Sequence, residues 1–302
     1  MKATVFAPGS IGNVGPGFDV LGLAVDGIGD RVTVELTEGP ARVAEVTGRD
    51  GDLVPRDPGR NVASIAAAAW LRNAGIDRQA VVSIEKGLPL AGGLGGSAAS
   101  SVAGALAASI AAGSDTDLAA VMRAALEGEA SVAGRHLDNI AASTVGGLAL
   151  CRSVEPVDVV AVPVAATWWV VLLTPRVRIE TKHARAILPQ SWERQHWVQQ
   201  MANTAGLLYA FATGDASLLQ RSLEDLYAEP LRAPLIPNFA PVKQAALDAG
   251  ALGCSISGGG PTIFAITAGE DHRCAAAMKA AMGDVEADLH IAPIAKRGAH
   301  AV

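Results

Sequence analysis

Between Gly87 and Gly104 the chain reads GLPLAGGLGGSAASSVAG. Gly87, Gly92, Gly93, Gly95 and Gly96 crowd the approach to an alanine-rich run that is a strong helix former. Glycine loses more backbone freedom on folding than any other residue, so such a cluster serves close approach or unusual dihedrals. A helix opening at its end directs unpaired N–H groups at whatever lies there. The guest that suits this position is a phosphate, and the rest of the chain has to say whose.

The flanks set the local structure. Arg31 to Thr37 (RVTVELT) alternates Val32, Val34 and Leu36 against polar neighbours, and Val81 to Lys86 (VVSIEK) fits the same half-buried strand pattern. Ala98 to Ala112 is almost wholly small and apolar, which predicts a buried helix closed by Gly113. A second helix is predicted over Asp115–Ala130, with Leu118, Val121, Met122, Ala125 and Leu126 on one face. VGGLALC (Val145 to Cys151) closes a first half. VDVVAVPV and TWWVVLLTP are expected to open a second set of strands; helices follow after Ser191, near Asp215–Leu226 and over Pro241–Ala249. Strand character returns in GALGCSISGGGPTIFAIT, then a last helix in EDHRCAAAMKAAMG and a strand near Leu289. Strands and helices mix without regular βαβ alternation, so the expected class is α+β rather than a doubly wound sheet. A chain of 302 residues, half of them apolar, can build one large core or two smaller ones. The expected division is 1–155 and 156–302, soft across residues 152–165.

Other classes are disfavoured. The net charge is −6 and no basic run stands out, which argues against a nucleic-acid partner. No uninterrupted apolar stretch reaches spanning length, and MKATVFAPGS lacks a long apolar segment, so no membrane association and a cytoplasmic location are expected. Cys151, Cys254 and Cys274 are odd in number without metal-type spacing and read as small buried hydrophobes.

Three phosphate readings compete. The P-loop needs Gly-Lys-Ser/Thr, and the chain contains no Gly-Lys pair. Gly93, Gly95 and Ala98 satisfy the dinucleotide fingerprint G-x-G-x-x-A, but Asp115 and Asp117, at the distance of its acidic partner, follow a helix and not a second strand. A nucleoside triphosphate with Mg²⁺ remains. Ser97 at the helix start can ligate the metal, and Glu127 or Glu129 in EGEAS can supply a carboxylate, although a solvated helix face is the commoner fate of either. A second glycine-rich stretch, SISGGGPT (Ser255 to Thr262), taken alone reads as a tight β-turn more readily than as a site.

PGSIGNVGPGFDVLGLAV, PLAGGLGGSAASS and GCSISGGGPTIFAI resemble, in order and spacing along the whole chain, the three motifs of the GHMP kinase superfamily. NVGPGFDVLGLA, GRHLDNIA, TPRVRIETKHARAILP and EPLRAPLIPNF resemble its homoserine kinase branch. The resemblance implies an N-terminal half like ribosomal protein S5 domain 2 and a ferredoxin-like C-terminal half. It implies ATP and Mg²⁺, L-homoserine as the alcohol that is phosphorylated, and a homodimer. Leu90, Ala91, Gly92, Gly93, Leu94, Gly95, Gly96, Ser97 and Ala98 would then cradle the phosphates, with Asn61 and Lys86 near the adenine and Ser97 and Glu129 on the metal. Arg185 and Arg232 would hold the carboxylate, since a guanidinium fork matches one bidentately. Asp19 accepts from ammonium or hydroxyl, and Asn13, Thr181, His136, Asp138 and Asn139 complete the acceptor side. By resemblance no dedicated base is present, and whether the hydroxyl proton leaves through Asp19 or with the phosphoryl group stays open. The chain departs from the family pattern at Gly96-Ser97, at the Ala-Ser that follows HLDNIA, and in a spacing one residue shorter between Glu129 and His136. The last departure leaves the choice of Glu129 over Glu127 open.

Overall fold

A computed structural model describes residues 1–302. The first half contains β1 (Lys2–Gly12), β2 (Leu21–Thr37), β3 (Arg42–Gly48), α1 (Val62–Asn73), β4 (Gln79–Lys86), α2 (Gly96–Ala111), α3 (Leu118–Ala130), α4 (Asp138–Val145), β5 (Leu148–Ser153) and β6 (Asp158–Val162). The second contains β7 (Trp169–Pro175), α5 (Thr181–Ala186), α6 (Arg194–Thr213), α7 (Ala216–Ser222), α8 (Glu229–Arg232), α9 (Phe239–Asp248), β8 (Gly253–Ile256), β9 (Ile263–Thr267), α10 (His272–Ala281), β10 (Ala287–Pro293) and β11 (His300–Ala301).

The first sheet runs β11-β1-β2-β4-β3, with β5 joining the start of β2 and β6 joining β5. The alternation read between Arg31 and Thr37 is real: Val32 and Val34 are buried while Arg31 and Glu35 are exposed. Pro8 lies where the β1–β2 register shifts, a place where a strand tolerates the missing N–H. Strand β6 lies past position 155 and still extends the first sheet. The C-terminal β11 also returns to it, pairing Val5 with Ala301.

Helix α2 lies at the centre of this half, buried along nearly its whole length. Its small residues let neighbours come to backbone contact. A Cβ on Gly104 would sit 2.4 Å from the Ala63 carbonyl oxygen of α1. A Cβ on Gly128 of α3 would sit 2.6 Å from that of Val62. Helix α2 starts at Gly96, two residues before the sequence expectation, because Gly95 caps it in the left-handed region at φ +63°. Gly113 ends it as expected, at φ +70°.

The second sheet is antiparallel in the order β10-β7-β9-β8. With α9 and α10 it forms the β-α-β-β-α-β ferredoxin-like arrangement, α5 to α8 being inserted between β7 and α9. Along β7 successive side chains separate: Val171 and Leu173 join the core under α9 and α10, whereas Val170 and Leu172 join the larger core shared with the first half. Period-two alternation thus lets one strand bind both layers. The three cysteines are buried and unpaired, as the sequence reading expected.

Candidate active site

A cleft of about 570 Å³ lies between the halves. One wall is the glycine loop and the first turn of α2; the other is the β8–β9 turn with α5 and α8. The walls are bonded to each other. The Ser257 hydroxyl donates to the Gly93 carbonyl (2.6 Å), and the Thr262 hydroxyl and backbone N–H donate to the Gly92 carbonyl (2.5 and 3.2 Å). Gly93 has φ +79°, and a Cβ there would lie 2.7 Å from the Gly260 carbonyl oxygen. SISGGGPT is therefore both a β-turn and a wall of the site.

Beneath the loop is a buried ion pair that no local sequence pattern predicts. Asp30, in the middle of β2, pairs with Lys86. It also accepts from the backbone N–H of Gly87 (3.1 Å) and Leu88 (3.2 Å) and from the Ser100 hydroxyl (2.6 Å). Lys86 donates in addition to the Gly96 carbonyl (3.2 Å) and Ser100 (3.1 Å). Its three protons are thereby occupied. Lys86 ties the end of β4 to the start of α2, and its ammonium has no donor left for a base. Asn61 is similarly committed: it caps α1 by accepting from Ala63 (3.1 Å) and Ser64 (3.2 Å) and donates to the Pro55 carbonyl (2.9 Å). Both residues line the cleft, beside the apolar side chains of Val54, Pro55, Val62 and Ile84.

At the first turn of α2 the Ser97 hydroxyl donates to Glu129 Oε1 (3.0 Å). Glu129 is buried, and its Oε2 has no partner. Burial above all pushes its carboxyl up to about 7; the Ser97 hydrogen bond and Lys86 oppose that rise, and Asp138 adds to it. Glu127 faces outward and pairs with Arg135 (3.1 Å). The geometry separates the two glutamates: Glu129 stands against Ser97, and Glu127 belongs to the surface. A hydroxyl and a buried carboxylate with an unpartnered oxygen are hard oxygen donors, and Mg²⁺ asks for one or two of these with phosphate and water completing its shell. The residues present fit that ion.

The acceptor end is built by loops and helix starts. Asn13 and Asp19, both at positive φ (67° and 58°), belong to the turn between β1 and β2. The Asn13 backbone N–H donates to Asp138 (3.2 Å), its amide donates to the Gly258 carbonyl (3.3 Å), and its Oδ1 accepts from the Asp19 N–H (3.0 Å). Arg185 grips Asp19 through both terminal nitrogens, at 2.9 and 2.8 Å. Arg232 is buried and donates to the Ala184 carbonyl (3.0 Å) and the Gly258 carbonyl (2.9 Å). Both guanidiniums lie over the Phe18 ring, at 5.2 and 5.4 Å, within cation–π range. Burial, chiefly, raises Asp138 to about 6, with Asp19 adding to the rise and hydrogen bonds from Asn139 and Asn13 opposing it. Burial lowers His136 below its usual value, Asp19 opposing and Arg185 reinforcing the shift. The His136 ring nitrogen stands 3.6 Å from Asp19, beyond hydrogen-bond reach.

Of the residues that the resemblance assigns to the site, all reach the cleft except Leu94 and Ala98, whose side chains are buried in the core; Glu127, the alternative to Glu129, does not reach it. Thr181 opens α5 on the acceptor side. The sequence reading passed over Asp30, Phe18, and the cleft-lining cations Arg60 and Lys182. Asp30 shares the inward face of β2 with Val32 and Val34, so its only signal was a charged residue at an inward position.

Residues 61–147 match the family of GHMP kinases N terminal domains, and residues 207–284 match GHMP kinases C terminal. The chain is 38% identical to a homoserine kinase of Chlorobium phaeobacteroides, over 99% of each chain. It is 39% identical to one of Chloroherpeton thalassium, over 98% of each. The crystal structure of a homoserine kinase from Cytophaga hutchinsonii superposes with a TM-score of 0.94 at 38% identity, covering 100% of this chain and 97% of the other.

Proposed function

The chain belongs to the GHMP kinases, in their homoserine kinase family, and from that premise we propose how its cleft uses ATP to phosphorylate the side-chain hydroxyl of L-homoserine. It is an ATP-dependent kinase acting on an alcohol. The observation that carries the reading is the pairing of two ends in one cleft. The free N–H groups of α2 with Ser97 and Glu129 form a phosphate and metal end, and Asp19, Asp138, Arg185 and Arg232 form an amino-acid end.

Phosphoryl transfer is mostly positioning and charge stabilisation. The backbone from Gly93 to Ser97 holds the phosphates, its donors aligned with the dipole of α2. Ser97 and Glu129 would hold Mg²⁺, which would neutralise charge on the phosphates. The apolar side chains of Val54, Pro55, Val62 and Ile84 receive the base. Asn61 and Lys86 act by fixing the walls of that pocket, since their polar atoms are already bonded. Arg185 and Arg232 take the substrate carboxylate, and Asp19 its ammonium. Asn13, Thr181, His136, Asp138 and Asn139 close around the rest of the amino acid. Asp19, held by a cation, is a weak proton acceptor, so in this reading the hydroxyl proton leaves with the transferred phosphoryl group and not through Asp19. Three buried free thiols, which suit a reducing compartment, support a cytoplasmic location. The homodimer rests on the family resemblance, and sedimentation analysis tests it.

A coupled ADP-release assay across L-homoserine, mevalonate, galactose, L-serine and L-threonine tests the reading. The expected result is turnover with L-homoserine far above the others. Preference for mevalonate or galactose would overturn the substrate and leave the kinase.

A further inference from the structure

The amino-acid end is already occupied by a contact of its own. Arg185 Nη1 and Nη2 reach the two oxygens of Asp19 at 2.9 and 2.8 Å, a fork-to-carboxylate match with no room for a second carboxylate on the same edge. The remaining Arg185 nitrogen, Nε, is buried without a partner. Arg232 spends Nε and Nη1 on the carbonyls of Ala184 and Gly258. The pair joins the halves, with Asp19 on the turn after β1 and Arg185 on the short α5. Its side chains are 30% and 35% exposed, so it faces the cleft. Around the pair stand Asp138, Arg232, Glu180 and Lys182, equal in carboxylates and cations, with His136 lowered towards its neutral form.

From this geometry we infer that the Asp19–Arg185 pair is a placeholder for the zwitterion, opened by ion-pair exchange when the substrate enters. The inference rests on the reading that the cleft takes L-homoserine. The substrate ammonium replaces Arg185 on Asp19, and the substrate carboxylate replaces Asp19 on Arg185. The two protein charges begin paired with each other and end paired with the two substrate charges. A ligand carrying one charge must either leave its own charge unpaired beside a closed pair or open the pair and strand one protein charge. A ligand carrying neither leaves the pair intact. Selection is therefore for the dipole as a unit, and the two charges do not contribute independently.

The test is a substrate cycle of similar shapes: L-homoserine, L-homoserine amide (ammonium only), 4-hydroxybutanoate (carboxylate only) and 4-hydroxybutanamide (neither). Removing one partner of a desolvated charge pair costs on the order of a hundredfold. Each singly charged analogue is expected to lose about that factor in kcat/KM, and the uncharged one to lose no more than the worse of the two. Losses that multiply, to about ten-thousandfold for the uncharged analogue, would overturn the exchange. In Asp19→Asn, Arg185 is freed for a carboxylate alone, so discrimination of L-homoserine over 4-hydroxybutanoate should fall about tenfold or more; unchanged discrimination would overturn it as well. Turnover of L-homoserine by the wild type tests the parent reading separately, so multiplicative losses with that turnover intact sink the exchange alone.

Discussion

Glu129 is buried in the wall of the cleft at 8% exposure with one oxygen bonded to Ser97 and the other to nothing. A buried carboxylate without a cation is destabilising when ionised, and its rise to about 7 from 4.5 expresses that cost. The folded state binds this proton more tightly than the unfolded chain. The penalty is therefore absent below about pH 4.5, grows as pH rises to about 7, and is complete above it. With metal chelated, Glu129→Gln should be more stable than the wild type at pH 8, by up to about 3 kcal/mol. The two proteins should be nearly equal near pH 4.5. Urea unfolding at the two pH values measures this, and adding Mg²⁺ at pH 8 should stabilise the wild type more than the variant. Glu127→Gln removes an exposed ion pair and should change stability by less than about 1 kcal/mol. A difference between wild type and Glu129→Gln that ignores pH would contradict the buried, unpaired placement.

Helix α2 carries the phosphate end because its flanks are small enough to be surrounded by α1, α3 and the sheet. Gly104→Ala drives a Cβ to 2.4 Å from the Ala63 carbonyl, and overpacking of this kind typically costs about 1–3 kcal/mol. Gly113→Ala meets nothing within 4 Å and is strained only by φ +70°, so it should cost about 1 kcal/mol. The larger drop in urea midpoint should belong to Gly104→Ala; the reverse order would mean that α1 does not touch α2 as described. At Gly95 the protein's own packing demands glycine. A Cβ there would sit 2.2 Å from the Ser10 hydroxyl oxygen and 2.9 Å from Asn139, so a side chain at 95 collides with protein before it meets any phosphate. At this scale much was legible: the alternation of β2, the glycine stop of α2, the last helix, and the α3 face except Leu118, which opens the helix 39% exposed. Strand β1 was hidden by Pro8 and Gly9. Helix α1 was hidden because an alanine run gives little amphipathic signal. Asp19 and Arg185 could each be nominated from motifs, but their mutual grip spans 166 residues, and no local pattern carries a contact of that separation.

Over the whole molecule, function depends on two layers meeting at one cleft. Chain connectivity binds them: β11 returns to the first sheet, β7 shares its residues between two cores, and the glycine loop accepts hydrogen bonds from the β8–β9 turn. The first half supplies the nucleotide end and the second supplies both arginines of the amino-acid end. That division of labour is the central claim, and Arg185→Gln separates its two sides. Loss of a charge-assisted contact typically costs about 1.5–3 kcal/mol, on the order of ten- to hundredfold in affinity. The direct measurement is calorimetric titration of wild type and Arg185→Gln with L-homoserine and, separately, with Mg-ATP. The expected result is an L-homoserine Kd weakened on the order of ten- to hundredfold, with the Mg-ATP Kd within about twofold of the wild type. An unchanged L-homoserine Kd, or a Mg-ATP Kd weakened just as much, would contradict it.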